Sequence, residues 1–200
     1  MSKLFKELYD KSPAFLQNAV LTGYSALLHR ERYGEGFARS RELLEQSQWY
    51  SAEELASYQD EQLRQLVKHA YETVPYYRRV FDARRLKPED FKSQQDLVKL
   101  PVLTRKDIQL NFEDLRSRAF SKGQLRLGHT SGTTGSPLEV YYDARVIHIT
   151  YALMDRQYRW ADANLRRSGD RIAVLRGNVI VPVSRRRPPF WRHNYYHNQL

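Results

Sequence analysis

Cysteine is absent from all 200 residues, which excludes disulfides, thiol nucleophiles and thiolate metal sites. No apolar run reaches the roughly 18–20 residues that a bilayer-crossing helix needs. The nearest stretch, residues 14–28, is interrupted by Gln17, Asn18, Thr22 and Ser25. Lys3 and Lys6 precede it, but Glu7 and Asp10 intervene and no cleavage-like tail follows. It therefore reads as an amphipathic helix rather than an export signal, with peripheral membrane contact as its alternative role. The location expected from these absences is cytoplasmic. Internal repeats and low-complexity tracts are missing as well.

Acidic residues are short in one half only. The net charge is +10, of which residues 1–100 carry +1 and residues 101–200 carry +9. Arg126, Arg166, Arg167, Arg171 and the run Arg185-Arg186-Arg187 supply much of the excess. A basic half suits an anionic ligand such as a nucleotide, a coenzyme or a nucleic acid; a solvated face is the plain alternative. The length allows one domain with a core, or one domain plus a helical appendage.

The first part of the chain reads as helix. Ser51-Ala52-Glu53-Glu54 has the capping-box pattern, and Leu55, Tyr58, Leu63, Leu66, Val67 and Ala70 follow near the helical period. Val74-Pro75 ends that helix, because the residue before proline is pushed out of the helical region. Tyr76 to Phe81 gives a short aromatic helix. Pro88, Ser93 and Thr104 each open a further short helix. Asp143 caps another that runs to about Ala161, and Ile172-Ala173-Val174-Leu175 and Asn178-Val179-Ile180-Val181 read as strands. Beyond Pro182 the chain is basic, aromatic and loop-like. Taken alone, that tail resembles a single-stranded nucleic-acid contact, but no RNP, KH or zinc-finger pattern accompanies it.

The stretch richest in chemistry is Thr130-Ser131-Gly132-Thr133-Thr134-Gly135-Ser136-Pro137. Its hydroxyls and successive backbone N–H groups can line an anion-binding concavity, and its glycines let other atoms approach closely. Residues 124–128 and 138–142 on either side favour strands, so the pattern is strand, hydroxyl-rich loop, strand. A Walker A loop is excluded, since Ser136 and Pro137 follow Gly135 where lysine and Ser or Thr are required. A GxGxxG dinucleotide turn is excluded because the third glycine is missing. The six histidines show no metal-ligand spacing, and no nucleophile–base pair is visible.

The loop resembles the Thr-Ser-Gly-Thr-Thr-Gly-x-Pro signature of adenylate-forming enzymes. His69-Ala70, Val74-Pro75-Tyr76-Tyr77-Arg78, Phe81, Asp96-Leu97 and Leu100-Pro101-Val102-Leu103-Thr104 are similar to the phenylacetate–CoA ligase branch. Pro13, Leu16-Gln17-Asn18, Arg32-Tyr33-Gly34 and Arg176-Gly177 are similar to its CapK-like members, a group associated with capsular and surface polysaccharide synthesis and related to coenzyme F390 synthetase. The resemblance implies an α/β fold: a helical N-terminal region over residues 1–110, then over 111–200 the incomplete start of a mixed-sheet, ATP-binding large domain. It implies an AMP-forming carboxylate ligase that uses ATP, Mg²⁺ and coenzyme A on a small carboxylic acid, with no nucleic-acid partner.

In that reading residues 130–137 bind the β- and γ-phosphates, with Ser131, Thr133 and Thr134 supplying hydroxyls. Many relatives place lysine where Ser136 stands and a second basic residue where Leu138 stands, so Arg126 or Arg145 becomes a candidate replacement. The family's adenine- and acyl-binding residues, hinge and lysine-bearing C-terminal domain would all follow Leu200. No catalytic residue and no metal ligand is therefore assigned within these 200 residues, and the chain alone is expected not to adenylate a substrate. The alternatives are a non-catalytic CapK-like accessory of polysaccharide synthesis and a basic nucleic-acid-binding module.

Overall fold

The computed structural model describes residues 3–130, 137–163, 170–175, 180–181 and 185–200. In chain order its helices begin with α1 (Lys3–Lys11), α2 (Ala14–Arg32) and α3 (Glu35–Ser47). Then come α4 (Ala52–Thr73), α5 (Pro75–Ala83) and α6 (Arg105–Leu110). Short 3₁₀ turns lie at Pro88–Asp90, Gln94–Lys99 and Lys122–Gln124. Strands β1 (Arg126–His129) and β2 (Glu139–Tyr142) form an antiparallel pair, followed by α7 (Ala144–Trp160). The described residues are thus mostly helical with one small sheet, compatible with part of an α/β domain. The chain groups into two compact units, residues 1–45 with 147–200, and residues 46–146.

In the second unit the local signals act as the sequence predicts. Glu54 N–H donates to Ser51 Oγ at 3.2 Å, and Ser51 N–H donates to Glu54 Oε2 at 2.8 Å. These bonds satisfy two donors that would otherwise be orphaned around the start of α4. Val74 caps α4 in an extended conformation and Pro75 opens α5. The bend lets α4 and α5 share a core of Val67, Phe81 and Phe91, with Leu63, Tyr71, Leu86 and Leu100 around it. The Phe81 and Phe91 rings lie 5.2 Å apart. Thr104 opens α6 with the same reciprocal cap, to Asp107. The helix expected at Pro88 is a single 3₁₀ turn, and the one expected at Ser93 is a six-residue 3₁₀ helix. Such segments are too short to repay an α-helical nucleus, and the tighter i→i+3 bond closes them at once.

In the first unit α3 and α7 meet around Gly36. A Cβ placed there would lie 2.1 Å from His148 Nδ1, so the absence of a side chain is what admits the imidazole. His148 Nε2–H donates to Glu31 O at 3.0 Å. Further along, buried Asp155 accepts from Arg159 Nε at 3.0 Å, and Arg41 Nε lies 3.6 Å from it. Arg159 also bonds Glu45.

Two sequence expectations change here. Residues 172–175 do not build an extended ladder among the described residues; Ile172 makes one parallel bridge to Gln199. Ile172 N–H donates to Asn198 O and Leu200 N–H to Ile172 O, so the partner comes from the end of the chain rather than from a neighbouring strand. Asn178 and Val179 lie outside the described residues, and Ile180-Val181 form a bend. The tail keeps the loop-like character read from the sequence, in turns and isolated bridges, but it is docked on α2. Arg192 Nε bonds Gln17 Oε1, His193 N–H donates to Asn18 Oδ1 at 3.0 Å, Tyr195 N–H to Thr22 Oγ1 at 3.1 Å, and Asn194 Nδ2 to Ser25 Oγ at 2.9 Å. The four polar residues that interrupt the apolar stretch of α2 are the rungs on which residues 192–195 dock.

Candidate functional site

The hydroxyl-rich loop leaves and re-enters the fold through the β1–β2 hairpin. Register pairs Arg126 with Tyr142, Leu127 with Tyr141, Gly128 with Val140 and His129 with Glu139, so the open end of the ladder is His129–Glu139. Just beyond it, Thr130 N–H donates to Leu138 O at 2.9 Å, and Leu138 N–H donates to the Thr130 hydroxyl at 3.0 Å. These two bonds fix the span between the loop's ends. Of the eight residues singled out in the sequence, Thr130 and Pro137 are placed by the structure. Ser131, Gly132, Thr133, Thr134, Gly135 and Ser136 lie outside the described residues.

The hairpin is held from below by the segment joining α6 to β1. Tyr141 stacks on Phe112 with ring centres 4.9 Å apart, and its hydroxyl donates to Glu113 Oε1 at 3.2 Å. Glu113 also meets Lys122 Nζ at 3.1 Å. The Lys122 ammonium is the first cause that holds the Glu113 carboxyl below its usual range, and the Tyr141 hydroxyl adds to it. That segment is anchored in turn to α4 and α5. Arg118 N–H donates to Thr73 O at 2.7 Å, Tyr76 N–H to Asp114 O at 3.1 Å, and Arg79 pairs with Asp114 at 2.8 Å. His69 Nε2 sits 3.2 Å from both the Thr73 and Ser117 hydroxyls. Several of the residues behind the family likeness, Val74-Pro75-Tyr76 and His69 among them, therefore act as the footing of the hairpin.

A cleft of about 440 Å³ lies at the loop's mouth, lined by Ile108, Gln109, Phe112, His129, Pro137 and Glu139. His129 Nδ1 is 3.6 Å from Glu139 Oε1. The two arginines considered as replacements for the absent lysine stand elsewhere. Arg126 is at the far end of β1, about 13 Å along the strand from Thr130 at ~3.3 Å per residue. Arg145 follows the far end of β2, where its Nε bonds Asp143 Oδ2 at 2.6 Å and its guanidinium lies over the Phe120 ring. Among the described residues, His129 stands at the mouth, paired in register with Glu139. Strand register was the missing signal, since it decides which end of the hairpin each basic residue occupies.

Gly128 is required by the same hairpin. A Cβ there would come within 2.9 Å of the Tyr142 ring, so glycine allows that close approach.

No protein-family model matches the chain. Among characterised proteins it is similar to ligases. The phenylacetate-coenzyme A ligase of Aromatoleum evansii is 35% identical over 127 residues, which is 64% of this chain and 28% of the relative. That of Pseudomonas putida is 33% identical over 137 residues, 68% of this chain and 30% of the relative. Protein CapK of Staphylococcus aureus is 22% identical over 193 residues, 96% of this chain and 40% of the relative. These likenesses agree with the phenylacetate–CoA ligase and CapK-like branch that the motifs resemble, and they support a ligase-like function. The chain spans between 28% and 40% of the length of these relatives.

Proposed function

We propose that the chain is the N-terminal, phosphate-binding part of an ATP-dependent, AMP-forming carboxylate ligase that passes its acyl group to coenzyme A. The observation that carries this reading is the latched hairpin, with a hydroxyl- and glycine-rich loop issuing from it beside a cleft. Phosphoryl chemistry asks a protein mainly for positioning and charge neutralisation. A loop whose ends are fixed by Thr130 and Leu138 meets the first demand. Ser131, Thr133 and Thr134 would supply hydroxyls and Gly132 and Gly135 close backbone approach to the β- and γ-phosphates. Thr130, its hydroxyl already engaged by Leu138, serves as the latch. Mg²⁺ would neutralise the phosphates, with the His129 imidazole beside them at the loop's mouth.

The division into a helical region over 1–110 and an ATP-binding part over 111–200 is retained as part of this proposal, as are a cytoplasmic site of action and a role in capsular or surface polysaccharide synthesis. A second reading, a non-catalytic accessory, draws on Ser136 and Leu138, where many relatives carry positive charge. Carboxylate-dependent ATP–pyrophosphate exchange tests the assignment. Residues 1–200 alone are expected to show none, whereas the same residues fused to the remaining length of a phenylacetate–CoA ligase are expected to restore it. A fusion that folds and binds ATP without exchanging would support the accessory instead.

A further inference from the structure

Helix α2 inverts the usual arrangement of an amphipathic helix. Its polar stripe, Gln17, Asn18, Thr22 and Ser25, is covered by residues 192–195. Its opposite stripe is apolar and exposed: Phe15, Leu16, Ala19, Val20, Gly23, Tyr24 and Leu27. The spacing of three and four residues puts these on one face. Tyr24 and Leu27 keep 58% and 69% of their surface in contact with solvent. Such a face exposes on the order of 500 Å², near the upper end of what monomer surfaces carry, and patches of that kind mark interaction sites.

Charge identifies the partner. Residues 11–30 contain no acidic side chain, and exposed Lys11 and Arg30 bracket the stripe. A second copy of residues 11–30 would set cation against cation, Lys11 beside Arg30 when antiparallel and like beside like when parallel. An anionic surface meets both ends favourably. We propose that the apolar face of α2 seats on an anionic lipid surface, with Phe15, Leu16, Val20, Tyr24 and Leu27 in the acyl boundary and Lys11 and Arg30 on headgroup phosphates.

The test is cosedimentation of the 200-residue chain with vesicles of equal parts phosphatidylcholine and phosphatidylglycerol, against phosphatidylcholine alone. Binding is expected to the anionic vesicles, roughly tenfold weaker to neutral ones and weakened by salt. Leu16→Gln with Leu27→Gln should lower it at least about tenfold, with far-ultraviolet circular dichroism unchanged because both positions face solvent. Lys11→Gln with Arg30→Gln should remove the preference for anionic lipid while leaving the fold intact. Equal binding to both vesicles, or no binding to either, would overturn the proposal. So would concentration-dependent dimerisation in light scattering that the leucine substitutions abolish, since the face would then belong to a second copy.

Discussion

His197 is 5% exposed, with its ring 5.3 Å from His29, 5.0 Å from Tyr196 and 6.3 Å from Tyr33. Burial, then the neighbouring His29 and Arg32, hold its pKa below the usual value of 6.5. Above that value the imidazole is neutral in both folded and unfolded chains, and its contribution is whole. Below it the unfolded chain takes up a proton that the folded chain resists, so stability falls as pH drops. Thermal melts across pH 5–8, a window on the order of the usual histidine range, should show this loss, and His197→Phe should flatten it. Gly36 makes a steric case. Gly36→Ala drives a methyl into His148 and should cost about 1–3 kcal/mol in a denaturant titration, with the bond from His148 to Glu31 lost. Neither role was legible in the sequence, because each depends on a residue more than a hundred positions away in the chain.

Local signals fared better among the elements. The cap of α4 and the break at Val74-Pro75 are written in adjacent residues, and the helix follows them. Ser51→Ala should destabilise by about 1 kcal/mol, read by chemical denaturation. The hairpin was legible too, as two β-rich runs flanking a turn-forming loop, and the bonds from Thr130 to Leu138 give it a measurable latch. Thr130→Ala removes one acceptor and should cost about 0.5–1.5 kcal/mol, while Thr130→Ser should retain most of it; amide exchange at Leu138 would report the difference. Strand 172–175 was misread because an apolar run gives no information about its partner. Its bridge to Gln199 is non-local, and nothing near Ile172 announces it. The same blindness applied to α2, where Gln17, Asn18, Thr22 and Ser25 looked like interruptions and prove to be a docking ladder.

At the scale of the whole molecule, the family likeness was readable because the loop and the footing of the hairpin occupy contiguous motifs. What the sequence left open was the source of positive charge at the loop; register sets Arg126 at the far end of the hairpin and His129 at its mouth. The family resemblance implies a lysine where Ser136 stands, and a charge-assisted bond absent there would weaken phosphate binding by about 1.5–3 kcal/mol. Ser136→Lys should therefore tighten binding by about tenfold or more. Glu139→Gln, which removes a carboxylate from the loop's mouth, should tighten it about twofold to fivefold, as expected for an exposed charge. The central claim, that residues 130–137 cradle phosphate, is tested most directly by following backbone amide resonances of the ¹⁵N-labelled chain during titration with magnesium pyrophosphate. Saturable shifts are expected at Ser131 to Ser136 and at His129, at lower ligand concentration in Ser136→Lys. Shifts confined to Arg185, Arg186 and Arg187, or none in the loop at saturating pyrophosphate in either protein, would contradict it.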